Sequence, residues 1–326
     1  MIAIILIALA AGCASALMFA SMISGVLISI LLIYLAPLPL MVAALGWGPL
    51  CATIGGIGAA TVLGAIFGLP YCIVFVVTVA LPAWWLGHLA LLGRPVTSGV
   101  SASTSNGAAP AAPAMEWYPV GRILLWISGF ATLITMVALM AFGTDVAAIT
   151  GALRQSWLLI LNPHDTVATG EIEQLADALA TITPAAAAMV FMITLTLNLW
   201  LAAKITATSG RLHRPWPDLK SATLPPLTLA ALCAAIAFCF VGGLLAILAQ
   251  IITTALMMAY ALTGLAVLHT VTLAIKSRAL WLGCTYAIVV LFVWPVLAMA
   301  VLGLADALFG IRQRYLQGRP PPLPAS

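Results

Sequence analysis

The chain reads as an all-α, polytopic transmembrane helical bundle of about eight spans, within a range of seven to nine. Three observations carry that reading. Hydrophobic residues make up 64% of the 326 positions and charged residues 6%, whereas a soluble domain keeps about a quarter of its residues charged to cover its surface. The mean hydropathy is +1.20. No Asp, Glu, Lys or Arg precedes Arg94. That opening run is about four times the roughly 20 apolar residues one helix needs to cross a bilayer, so it crosses several times through uncharged turns.

Hydrophobic stretches punctuated by Pro, Gly and charge place the candidate spans at 2–24, 25–47, 48–68, 70–92, 120–142, 184–203, 224–242, 244–272 and 280–304. The second carries Pro37 and Pro39 and reads as a broken or re-entrant segment, which brings the count to eight. Leu9-Ala10-Ala11-Gly12-Cys13 has the look of a lipoprotein cleavage site. No cation precedes it and the apolar run continues beyond it, so an uncleaved first helix is expected. The six cysteines, at 13, 51, 72, 233, 239 and 284, lie in apolar stretches without CxxC or Cys/His spacing and read as small hydrophobes.

Four blocks follow: an N-terminal transmembrane block at 1–93, a flexible cytoplasmic linker at 94–118, a C-terminal transmembrane block at 119–316 and a Pro-rich tail at 317–326. The centre of the linker, Pro95 to Ala114, is uncharged and built of small and polar residues, too poor in apolar area to offset its own ordering entropy. Within the C-terminal block, residues 143–185 hold Asp145, Asp165, Glu171, Glu173 and Asp177 against Arg154, whereas 203–221 hold Lys204, Arg211, Arg214 and Lys220 against Asp218. The excess of cations sets the second loop inside, with Arg94 and Arg122, and the acidic loop on the far side. Further on, Lys276 and Arg278 are separated from Arg312, Arg314 and Arg319 by one apolar stretch. A full crossing there exports one basic group; two short half-membrane pieces broken at Pro295 keep both inside.

Small residues recur every fourth position in two helices: Ala8, Gly12, Ala16, Ala20 and Ser24 in the first and Gly48, Ala52, Gly56, Ala60, Gly64 and Gly68 in the third. They share one helix face and allow close backbone approach, for packing inside the bundle or for docking a partner. His88, Asn198, Gln250 and His269 are the polar candidates within spans, where a buried polar group needs a partner or lines a substrate or proton path. Trp84, Trp85, Trp117, Tyr118, Trp216, Trp281 and Tyr315 stand near span ends as interfacial anchors. Ile172, Leu175, Ala176 and Leu179 recur at helical spacing opposite carboxylates, predicting a short amphipathic helix on the outer surface. In Arg214, Pro215, Trp216, Pro217 and Asp218 the prolines hold the loop extended, and Asp218 can pair with Arg214 or cap the next helix.

Nothing matches a nucleotide-binding loop, a nucleophile elbow or a zinc-protease motif, and no metal-ligand set appears. The expectation is a non-enzyme without cofactor, in contact with the lipid bilayer and not with nucleic acid. An energy-using role would need its ATPase on another chain.

Two stretches carry a family likeness. Asn198-Leu199-Trp200-Leu201-Ala202-Ala203, Gly210-Arg211-Leu212 and Arg214-Pro215-Trp216-Pro217-Asp218-Leu219, with Gly303-Leu304-Ala305-Asp306, resemble the YybS-like family of uncharacterised bacterial inner-membrane proteins. That family is distantly similar to the S components of energy-coupling-factor transporters. The resemblance implies a multi-pass protein of the bacterial inner (plasma) membrane, transport-related, binding a substrate and docking through Ala8, Gly12 and Ala16 onto a transmembrane partner with separate ATPases. The alternative function is a non-catalytic membrane scaffold or assembly factor that binds other membrane proteins through its small-residue faces.

Overall fold

The structure, a computed structural model, describes residues 2–96, 114–163, 169–218, 222–292 and 294–317. The centre of the predicted linker, most of the tail, Asp165, Lys220 and Arg319 lie outside the described residues. The chain is an all-α, multi-pass helical membrane protein in which seven described helices are long and apolar enough to cross a bilayer.

The first four spans follow directly from proline and glycine placement. Helix α1 covers Ile2–Ala20, α2 Leu27–Leu35, α3 Pro37–Trp47, α4 Pro49–Phe67, α5 Leu69–Phe75 and α6 Leu81–Leu91. Pro37 and Pro49 occupy first helical positions, where the missing N–H is no loss. Gly48, with φ of 94°, and Gly68, with φ of 93°, each turn the chain in a single residue, a conformation that a side chain resists. The break expected at Pro37 and Pro39 does not open: Ala36 keeps right-handed helical angles, and Leu27–Trp47 forms one span of 21 residues. A π-helical turn, Val76–Ala80, joins α5 to α6.

The linker ends are paired. Strands β1 (Gly93–Val96) and β2 (Ala114–Trp117) form an antiparallel ribbon with Arg94 opposite Glu116, and the two side chains form an exposed ion pair at 2.7 Å. Beyond it run α7 (Val120–Met140), α8 (Val146–Leu161), α9 (Gly170–Thr208), α10 (Leu227–Phe238), α11 (Gly243–Val271), α12 (Arg278–Leu291), α13 (Pro295–Phe309) and α14 (Ile311–Gln317).

Three expectations are corrected here. Residues 146–161, read as part of an acidic loop, form a helix that starts where Asp145 Oδ1 accepts from the Ala148 amide at 2.7 Å. The amphipathic stretch at 170–179 is no separate surface helix; it continues through Pro184 into one helix of 39 residues, and Ala176 and Ala180 on it are buried. The stretch 224–242 gives only the 12-residue α10, because Pro225 and Pro226 delay its start and Gly242 and Gly243, at positive φ, end the segment. At roughly 18 Å it is shorter than the roughly 30 Å hydrocarbon layer.

The chain divides into two compact units, Met1–Ile123 with Leu197–Pro217, and Leu124–Thr196 with Asp218–Ser326. This division is discontinuous, whereas the sequence was expected to divide at the linker. In the first unit Ala8, Ala43 and Cys51 form a buried cluster. In the second, Leu139, Ile149, Leu153, Ala180, Ala188, Ile247 and Ile251 join α7, α8, α9 and α11 in one core.

Candidate functional site

The small-residue faces are packing faces within the first unit. A Cβ built on Gly12 would strike the Gly55 carbonyl oxygen, and one on Gly55 would strike the Ala8 carbonyl. Ala8 and Gly12 on α1 are buried, with Ala16 close behind, so the face that the family resemblance assigns to a partner is covered by α4. Along α4, Gly56 faces the Ala80 methyl at 3.3 Å from its ideal Cβ and Gly64 faces Cys72 at 3.1 Å. Gly48 and Gly68 do another job, turning the chain.

Asn198 is 1% exposed. Its Nδ2 donates to the Tyr34 carbonyl at 2.8 Å, beside the two prolines that deprive the helix of backbone donors. His88 stacks on Trp84 with centroids 6.3 Å apart and leans on Trp85 at 6.0 Å, in keeping with an interfacial anchor. Gln250 sits half-buried on α11.

Three cations of the first unit, Lys204, Arg211 and Arg214, lie against tryptophan faces. Helix α9 ends where the amides of Arg211 and Leu212 both donate to the Thr206 carbonyl, at 2.9 and 3.1 Å, with Gly210 at φ of 68° supplying the left-handed cap. That cap lays the Arg211 guanidinium over the Trp47 ring at 4.8 Å, and Gly46 leaves room for it, its ideal Cβ 3.9 Å from Arg211 Cβ. Arg214 lies over Trp117 at 5.9 Å and donates to the Ala90 carbonyl at 3.1 Å. Burial pushes its pKa down from the usual guanidinium value, because charge loses solvation there. Lys204 lies 5.3 Å from the Trp216 ring. The contact of Arg214 with the end of α6 sets the basic loop and the linker ends at one end of this unit, as the charge pattern predicts. Pro215, Pro217 and Asp218 carry the chain onward; Trp216 is 43% exposed, as an interfacial ring should be.

In the second unit α12 and α13 turn back on themselves. At roughly 21 and 22 Å each is too short for a full crossing. Tyr315 Oη donates to the carbonyl of Val271, the last residue of α11, at 3.0 Å. Arg312 donates through Nη1 to the Ala222 carbonyl at 3.0 Å, ahead of α10. The chain after α13 thus stands at the same end of the unit as the chain before α12. Both basic groups, Lys276 with Arg278 and Arg312 with Arg314, share that end, which removes the conflict in the charge pattern.

Two polar clusters hold this arrangement. Asp306 and Arg312 form a buried ion pair, each side chain 7% exposed, with Nη2 to Oδ2 at 2.6 Å, Nε to Oδ2 at 2.8 Å and the Arg312 amide to Oδ1 at 2.9 Å. Neither residue was singled out from sequence as a site, although their six-residue separation across Gly310, which has φ of 62°, was visible. The second cluster centres on His269. Its Nε2 lies 2.8 Å from Tyr286 Oη on α12, and Arg278 Nη2 approaches its Nδ1 at 3.5 Å and its carbonyl at 3.4 Å. A donor on Nδ1 leaves Nε2 as the N–H, so the ring donates to Tyr286. Arg278 Nε is buried with no acceptor among the described residues.

In the acidic segment Arg154 binds Asp177 Oδ1 through Nε at 2.6 Å and Glu173 Oε2 through Nη2 at 3.3 Å, joining α8 to α9. Trp157 Nε1 adds a hydrogen bond to Thr183 Oγ1 at 2.8 Å. Among the described residues no group of three or more His, Cys, Asp or Glu could hold a metal ion. No protein-family model matches the chain, and neither a curated protein nor a solved structure is significantly similar to it.

Proposed function

We propose that the protein is a transport-related, non-catalytic membrane subunit that captures a ligand at the α11–α12 junction and relies on ATPases carried by other chains. The observation behind this reading is the buried, unmatched Nε donor of Arg278 beside His269 and Tyr286. Buried donors in native proteins are nearly always paired, so one left open next to a titratable ring is a place for an acceptor on a ligand. The setting fits: short helices that turn back inside the membrane recur in transporters, where they form ligand sites, and an ionisable residue within a span is a functional candidate. The docking implied by resemblance needs revision, since Ala8, Gly12 and Ala16 are covered within the first unit. The scaffold alternative loses the same faces. The test is recovery of the full-length protein from native bacterial inner membranes after mild crosslinking. Two ATPases with a transmembrane partner support the proposal; a large assembly without ATPases supports the scaffold.

A further inference from the structure

The first unit carries an apolar groove. It has a volume of about 420 Å³ and is lined only by apolar side chains, among them Ile7 and Ala11 of α1, Pro39 and Ala43 of α3, Ile205 of α9 and, at one end, Trp47. That volume lies in the range of about 300–1,000 Å³ typical of small-molecule sites. All three helices belong to membrane spans, so what fills the groove arrives from the bilayer.

The end marked by Trp47 is charged. Arg211 stacks on that ring, and its guanidinium makes no hydrogen bond among the described residues, so its N–H fork stays available to an anion. Lys204, the residue before Ile205 on α9, adds a second cation to this end of the helix. The unit as a whole contains Arg94, Arg122, Lys204, Arg211 and Arg214 against a single carboxylate, Glu116, and Glu116 is bound to Arg94. Asp218 is the next carboxylate along the chain. An apolar slot running about 14 Å along α3 from Pro39 to Trp47, closed by an open guanidinium, has the two-part character of an amphiphile.

We infer that this groove binds an anionic phospholipid, with an acyl chain along α1 and α3 and the headgroup phosphate on Arg211. Arg recognises phosphate through its planar fork, and stacking on Trp47 fixes that fork without consuming its donors. A zwitterionic lipid offers the same chains with less net charge, so the site discriminates by headgroup.

Native mass spectrometry of the full-length protein in detergent, titrated with phosphatidylglycerol or phosphatidylcholine of identical chains, tests this. The wild type should prefer phosphatidylglycerol. Arg211→Gln should lower that affinity about fivefold, the worth of one cation at a lipid surface, and lower that for phosphatidylcholine by less, because the choline ammonium offsets the phosphate charge. Ala10→Leu, which places bulk at an exposed position lining the groove, should weaken both lipids. Lys276→Gln, in the other unit, should weaken neither. Thermal unfolding run in parallel confirms that each variant is folded. Equal affinity for the two lipids, an unchanged Arg211→Gln or Ala10→Leu, an equal loss in Lys276→Gln, or displacement by inorganic phosphate at matched ionic strength would each overturn the inference.

Discussion

Asn198 on α9 and Tyr34 on α2 are joined by one hydrogen bond, 2.8 Å from amide Nδ2 to backbone carbonyl. Pro37 and Pro39 withhold the helical donors of the flanking Ile33 and Leu35 carbonyls, so the bond from α9 supports a weakened stretch of the helix. Asn198→Leu should therefore destabilise the protein by about 0.5–1.5 kcal/mol, the net worth of one hydrogen bond. Asn198→Asp should be no better, since a carboxylate cannot donate. Thermal unfolding in detergent measures both; wild-type stability in Asn198→Leu would assign the side chain to a path and not to the backbone.

Glycine substitutions separate close packing from open surface. Gly12→Leu and Gly56→Leu should sharply reduce the folded yield, because the space beside each is filled by α4 backbone or by Ala80. Gly129 on α7 has nothing within 4 Å of its ideal Cβ, and Gly129→Ala should be neutral or stabilising by up to about 1 kcal/mol through helix propensity. Fluorescence-detected size exclusion ranks the three. Normal yield of Gly12→Leu would contradict the internal reading of the stripe.

The pair Asp306–Arg312 is buried at both ends. Removing one partner strands the other, so Asp306→Leu or Arg312→Met should lose about 3–5 kcal/mol, while the double change Asp306→Leu with Arg312→Met should recover much of it. Unfolding midpoints of the four proteins form the necessary cycle.

Arg154 is different in kind. It is 37% exposed and its partners Asp177 and Glu173 are 60% and 52% exposed, so solvent screens the contacts. Arg154→Ala should cost no more than about 1 kcal/mol, and the difference should shrink in high salt. A loss that does not respond to salt would mean that the side chain acts by packing.

Local signals made the first four spans legible: Gly48-Pro49 and Gly68 mark the turns and Pro82 the start of α6. Helix α8 was equally written in the sequence, with Asp145 as cap and Val146, Ile149, Leu153 and Trp157 on one face, but five nearby carboxylates drew it into a loop. Over 224–242 hydropathy counts residues and ignores that Pro225, Pro226 and Gly242-Gly243 shorten the helix. The contacts that define the sites are long-range. Tyr34 lies 164 residues before Asn198, and Arg211 meets Trp47 through a helix cap, which no spacing rule encodes. His269 was legible as a candidate; its partner Tyr286 looked like any aromatic residue in a span.

Substituted-cysteine labelling tests directly whether α12 and α13 return to one end of the second unit. In a background with the six native cysteines replaced, Ser277→Cys, Gln317→Cys and Val241→Cys are exposed to a membrane-impermeant maleimide in right-side-out and inverted vesicles. Val241 precedes the far end of α11, a helix of 29 residues, and spans about 43 Å from Val271. Positions 277 and 317 should label from one side and 241 from the other. Labelling of 277 and 317 from opposite sides would mean that the segment crosses the membrane and would contradict the return.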